Sequence, residues 1–99
     1  MDPKMAWVLK HPQEFPVEIN TADRNTLLRV LGIGPKSAMR IIKARAKNKF
    51  HTLDELKEAG VVVKRAAPFI LIDGKPQEKS TQIPGVRPRH PYSPGIINS

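Results

Sequence analysis

The residues best suited to chemistry are two glycines spaced by one aliphatic side chain, Gly32-Ile33-Gly34, followed at once by Pro35-Lys36-Ser37. Both glycines can take positive φ, and they let a backbone approach a ligand that a Cβ would repel. Ile33 between them can tuck into a core and hold the hairpin shut. Proline at the first position of a helix starts it abruptly and removes only an amide that has no intrahelical partner. The other unpaired amides of that first turn, together with the positive end of the helix dipole, make an anion site. Lys36 and the Ser37 hydroxyl stand within reach of a phosphate placed there. Further on, Lys36, Arg40, Lys43 and Lys47 recur at i, i+4, i+7 and i+11, so one helical face carries four cations. Like charges at that spacing weaken an isolated helix by about 0.2–0.5 kcal/mol per pair. A helix that keeps them points to an anionic partner. The chemistry in view is recognition of phosphates, with no bond made or broken.

The chain that must position these groups has 99 residues, room for one domain. Lys and Arg total 17 against 9 Asp and Glu, a formal net charge of +8. The excess is local: from Arg24 to Leu53 there are eight basic residues and no acidic one, and the remainder balances. A single-sign window inside a foldable segment is the footprint of a polyanion-binding face, against the plainer alternative of a solvated helix face. Cysteine is absent, which excludes disulfides, thiolate metal sites, iron–sulfur clusters and a cysteine nucleophile, and agrees with a cytoplasmic location. His11, His51 and His90 lie at no metal-ligand spacing, and no cofactor is expected. No apolar run is long enough for a membrane span, and no secretory signal is visible.

Asp2-Pro3 is a cap followed by a first-turn proline, which predicts a short helix over Lys4–Lys10 that Pro12 and Pro16 confine. Trp7 reads as an apolar anchor rather than a base-stacking platform. Val17-Glu18-Ile19 is a brief extended stretch, and Asn20-Thr21 caps a helix over Ala22–Leu31. A second helix runs from Pro35 to Ala46 or Lys47, with Ala38, Ile41, Ile42 and Ala46 inward and Met39 at the edge. Arg45 falls on the core side, where it either caps the last carbonyls or lies past the helix end. Thr52 through Glu55 is a capping box, and Gly60 stops the short helix that follows. Val61 to Ala67 gives one more helical turn, and Phe69–Ile72 is either a buried strand or the last core segment. Asp73-Gly74 is a turn. Five of the ten prolines and three of the six glycines fall in residues 73–99, a segment too poor in apolar side chains to offset its ordering entropy.

The run Leu27-Leu28-Arg29-Val30-Leu31-Gly32-Ile33-Gly34-Pro35-Lys36-Ser37-Ala38, with its Ile19-Asn20-Thr21-Ala22 lead-in, resembles the helix-hairpin-helix DNA-binding motif. That resemblance implies DNA binding largely without sequence preference, with Gly32, Ile33, Gly34, Lys36 and Ser37 against the phosphate backbone at the minor groove. Some hairpins of the family also hold a monovalent cation on their carbonyls, on which this sequence is silent. Residues 52–67 look like a second, degenerate copy in which Gly60-Val61-Val62 replaces Gly-x-Gly, so its anion-binding half is in doubt. Its expected role is to complete the core, with Lys64 and Arg65 as a secondary basic contact.

The implied architecture is all-α: a lead-in or linker over residues 1–16, a compact helix-hairpin-helix pair over 17–72 and a disordered Pro-rich tail over 73–99. A wider resemblance covers most of residues 2–75. The order Asp2-Pro3-Lys4-Met5-Ala6-Trp7, Phe15–Asn20, the hairpin, Gly60–Ala66 and Phe69-Ile70 is similar to the C-terminal region of DNA modification/repair radical S-adenosylmethionine proteins. Their three-cysteine iron–sulfur motif lies upstream of this region and is not in this chain. The resemblance implies either the DNA-binding domain of such a protein, partnered by a radical S-adenosylmethionine catalytic domain, or a stand-alone relative.

Two rivals are weighed. In base-excision DNA glycosylases that carry this hairpin, a catalytic lysine can occupy the position of Lys36, with an aspartate somewhat later, as Asp54 is here. Asp54, however, stands inside a capping box, where dipole reasons alone favour a carboxylate. Base flipping also needs a pocket walled by a larger helical domain than 99 residues allow. A protein–protein interaction module of the same fold is the second rival, and it would show an exposed apolar patch instead of a basic stripe. The expectation is therefore a monomeric, non-enzymatic, non-sequence-specific DNA-binding module preferring duplex. Its contacts are the hairpin with Arg40, Lys43 and Lys47, and Lys64 with Arg65.

Overall fold

The computed structural model describes residues 2–77. Five helices, α1 (Pro3–Lys10), α2 (Arg24–Leu28), α3 (Pro35–Arg45), α4 (Leu53–Glu58) and α5 (Val63–Ala66), surround three short strands, β1 (Val17–Glu18), β2 (Ile70–Ile72) and β3 (Lys75–Pro76). Single 3-10 turns lie at Pro12–Glu14 and Ala67–Phe69.

The helix starts follow local side-chain chemistry. Asp2 Oδ1 accepts from the Lys4 amide at 2.9 Å and caps α1. Thr52 and Glu55 form the expected capping box of α4: the Thr52 side chain accepts from the Glu55 amide, and Glu55 Oε1 from the Thr52 amide at 3.0 Å. The start of α2 is displaced from expectation. Asp23, not Asn20-Thr21, is its cap, accepting from the Thr26 amide at 2.8 Å. Asn20 instead bonds the backbone of Phe50 twice, its Nδ2 donating at 3.0 Å and its Oδ1 accepting at 2.6 Å. A side chain that satisfies both backbone groups of a distant residue gains more than it would at a local cap.

The architecture is mostly helical but not all-α. β1 and β2 pair in parallel (Val17 with Ile70, Glu18 with Leu71), and β2 pairs antiparallel with β3 (Leu71 with Pro76, Ile72 with Lys75). Asp73 and Gly74 both take positive φ, +54° and +78°, which is how a two-residue turn matches the twist of a hairpin. The Glu18 carboxylate closes the arrangement by accepting from the amides of Asn20, Asp73 and Gly74 at 3.0, 3.0 and 2.7 Å. The folded segment thus continues past residue 72 through β3, and residues 78–99 of the expected tail lie outside the described residues.

One core runs through these elements. Val8, Ile19, Leu27, Val30, Ala38, Ile41, Leu56 and Ala66 are fully buried, and Phe15, Phe69, Ile70 and Ile72 nearly so. Val8 and Phe15 show that the N-terminal segment packs into this core rather than linking loosely to it. Trp7 stacks on His11 with ring centroids 3.9 Å apart, meets Phe15 edge-on, and carries the Arg29 guanidinium 4.2 Å from its ring centroid. It behaves as an anchor. On α3, Ser37 joins Ala38 and Ile41 inside, and Ala46, expected inside, is exposed because the helix ends at Arg45. Arg45 caps neither its own helix nor lies past it. Its Nη1 donates to the Ile19 carbonyl at 2.9 Å and ties the end of α3 to the segment after β1.

Candidate nucleic-acid interface

Between α2 and α3 the chain turns through Gly32, Ile33 and Gly34. Gly32 sits at φ +90°, and a Cβ there would lie 2.5 Å from the Val62 carbonyl oxygen. Its glycine is therefore required both by conformation and by close approach. Ile33 is a buried peg, 1 % exposed, as expected. Gly34 departs from the expectation of positive φ: at φ −101° and ψ −176° it is extended backbone open to any residue. Nothing lies within 4 Å of a Cβ added to it. The space a side chain would fill is open to solvent, next to the first turn of α3. Among the described residues, the amides of Gly34, Lys36 and Ser37 donate to no acceptor.

The second hairpin follows the same backbone course. A constant interval separates Gly32 from Gly60, Ile33 from Val61, Gly34 from Val62, Lys36 from Lys64 and Ala38 from Ala66. Gly60 repeats the positive φ at +91°, and Val61 repeats the buried peg at 4 % exposure. At the third position the copies diverge. Val62 is exposed, and its amide donates to the Gly32 carbonyl at 2.9 Å. The reciprocal bond, from the Gly34 amide to the Gly60 carbonyl, is not made. The Ser37 hydroxyl donates to the Gly60 carbonyl instead, at 2.9 Å. The Gly34 amide donates to no acceptor among the described residues. The expectation that the Ser37 hydroxyl itself reaches phosphate is corrected: it is buried and bonded to Gly60, and only the Ser37 backbone amide remains open.

Lys36, Arg40 and Lys43 are exposed along α3, and Lys47 is exposed just past its end. None of the four makes an ion pair or hydrogen bond among the described residues. Arg40 leans toward the second hairpin, where its Nη1 would lie 3.1 Å from a Cβ on Gly60. A shallow groove of about 350 Å³ is lined by Arg24, Pro35, Lys36, Met39, Arg40 and Lys43. A second groove continues along Arg40, Lys43 and Lys47. Arg24 was not singled out in the sequence, although it opens the eight-charge window; only the packing of α2 against α3 brings it to this face. Of the secondary contacts, Lys64 is exposed, but Arg65 Nη2 pairs with Asp2 Oδ2 at 2.7 Å. That bond, reinforced by the Lys4 amide, holds the Asp2 carboxyl below the usual aspartate range.

The carbonyls of Val30 and Ile33, at the first hairpin, converge on the Lys4 ammonium, with Nζ donating at 3.1 and 2.6 Å. Burial there pushes the Lys4 ammonium below the ordinary lysine value; Asp2 opposes that shift and Arg65 adds to it. Nothing in the periodicity of α1 signals this contact, because it spans distant parts of the chain.

The model of the helix-hairpin-helix motif matches residues 13–66, from the turn after α1 to the end of α5. The chain belongs to the helix-hairpin-helix family. Motifs of this family are in general nucleic-acid-binding elements, and the match supports DNA binding. No curated protein and no solved structure gives a match. In the helix-hairpin-helix domain the first hairpin holds open amides beside free cations, and the second has its corresponding amide bonded inside the protein. Asp54, the one carboxylate considered for catalysis with Lys36, is exposed in the first turn of α4.

Proposed function

We propose that the domain binds duplex DNA without sequence preference, seating a backbone phosphate on the Gly34, Lys36 and Ser37 amides. The observation that carries this reading is the set of three unbonded amides beside the open Cβ position of Gly34. Helix N-termini favour anions through both their amides and their dipole. Arg24, Lys36, Arg40, Lys43 and Lys47 then neutralise neighbouring phosphates along the strand. With roughly three to five phosphates engaged, log K falls with log salt at a slope of roughly −3 to −4. Phosphate contacts position a protein without reading bases, so affinity is nearly uniform across sequences. The chain performs no chemistry of its own and serves as the DNA-targeting domain of a larger DNA modification or repair protein. The resemblance of residues 2–75 to the C-terminal region of radical S-adenosylmethionine proteins supports that placement. A cysteine-free, basic monomer working in the cytoplasm completes the reading.

Fluorescence anisotropy with a labelled mixed-sequence duplex at two salt concentrations tests it. Gly34→Val is a clean probe, because valine adopts that backbone without strain and its Cβ has no atom within 4 Å. Lys36→Glu reverses a free charge at the same turn. Salt-dependent binding that both folded variants lose supports the reading. Variants that bind as well as the parent contradict it, and a parent with no DNA affinity at low salt returns the fold to the protein-interaction alternative.

A further inference from the structure

We infer that the groove between α2 and α3 selects DNA over RNA, by seating a deoxyribose on the Met39 side chain. The inference rests on the proposed function and adds, to the phosphate contacts, a contact with the sugar between them. Met39 is 51 % exposed on α3, whose buried side chains are Ser37, Ala38 and Ile41. Ile42 packs partly buried against the core, and Met39 does not join it. Three large apolar side chains are exposed among the described residues, Leu9, Met39 and Val62, and of these Met39 lines the basic groove. Core packing therefore does not account for a methionine at this position.

The groove alternates in its chemistry. Pro35 and Met39, at i and i+4, share one face of α3 and supply its apolar lining, while Arg24, Lys36, Arg40 and Lys43 supply its cations. Lys36 and Lys43 stand about one turn before and after Met39, so an apolar patch lies between two charges along the helix. A nucleic-acid strand alternates in the same way, from phosphate to sugar to phosphate. The cations suit either polymer, and the 2′-hydroxyl is what tells RNA from DNA. A deoxyribose on this patch buries only C–H groups against the thioether and the proline ring. A ribose seated likewise strips water from its 2′-hydroxyl. The ring offers that hydroxyl no partner and the sulfur only a weak acceptor, so the lost hydration is not replaced. Methionine, unbranched and with three rotatable bonds, can follow the contour of the sugar.

The test measures anisotropy of the full chain with a DNA duplex and with an RNA duplex of the same length and sequence, at one salt concentration. The parent runs beside Met39→Gln and Met39→Leu. Both substitutions suit a helix, and at an exposed position outside the core both fold, which circular dichroism checks. The parent is expected to prefer DNA by roughly three- to tenfold. Met39→Leu, still apolar, keeps that preference. Met39→Gln, similar in length but able to hydrogen-bond a hydroxyl, brings the ratio of the two affinities close to one. A Met39→Gln chain that keeps the full preference overturns the inference, since the selection would then come from the different shapes of the two duplexes. A parent that binds both duplexes equally also overturns it, and in either case DNA binding itself stands. A parent that binds neither duplex defeats the proposed function and this inference with it.

Discussion

Gly32–Gly34 and Gly60–Val62 share a positive-φ glycine followed by a buried aliphatic peg, yet only the first leaves its third amide unbonded. Two side chains mark the difference. The Ser37 hydroxyl, and not the Gly34 amide, donates to the Gly60 carbonyl, and Val62 carries a side chain at the position where Gly34 leaves open space. One copy of the motif thus leaves its third amide open, and the other bonds the corresponding amide within the protein. The bond from Val62 to the Gly32 carbonyl holds the open copy in shape. Divergence between repeats here divides one task into display and support.

The largest expected effect breaks the support. Gly32→Ala places a Cβ 2.5 Å from the Val62 carbonyl at a strained φ, and urea unfolding should show a loss of about 3 kcal/mol or more. Gly60→Ala is the matching probe of the other copy. Its Cβ meets the movable ends of Arg40 and Ser37 at 3.1 and 3.2 Å, so a smaller loss of about 1–2 kcal/mol is expected. Equal losses would show that the hairpins do not differ in this way.

Display is tested next. Gly34→Val should weaken duplex binding about tenfold or more, an energy of about 1.4 kcal/mol, while stability stays within about 0.5 kcal/mol. The reciprocal Val62→Gly should add no affinity, because the amide it uncovers already serves the Gly32 carbonyl. Ser37→Ala removes the bond to the Gly60 carbonyl, and denaturant titration should report a loss of about 1–2 kcal/mol. The smallest effect concerns the N-terminal staple. The Asp2 carboxyl is held below the ordinary 3.8 by Arg65, so its contribution is fully present above that value and fades as pH falls through the lower folded value. Asp2→Asn should flatten part of the acid limb of a stability–pH profile and leave the curve above pH 5 nearly parallel to the parent's.

Much of the candidate site is legible in the sequence because its signals are local. The Gly-Ile-Gly spacing, the proline start of α3, the stripe Lys36, Arg40, Lys43 and Lys47 and the capping box at Thr52 each depend on near neighbours in sequence. What the sequence could not show is pairing across distance. Phe69–Ile72 was too short for periodicity to settle, and its strand exists because Val17 and Glu18 lie beside it. Asn20 reads as a cap until Phe50 is brought against it, and Ser37 reads as a phosphate ligand until Gly60 is. Arg65 reads as a free cation until Asp2 reaches it. In each case the sequence shows a local or solvent-facing role and the fold adds a tertiary partner.

The central claim, that one hairpin displays amides the other conceals, is tested most directly by amide chemical shifts during titration of a labelled domain with a mixed-sequence duplex. The Gly34, Lys36 and Ser37 amides should move first and furthest, with Val62 nearly stationary. Comparable shifts at Val62, or shifts confined to side-chain-bearing faces away from Gly34, would contradict it.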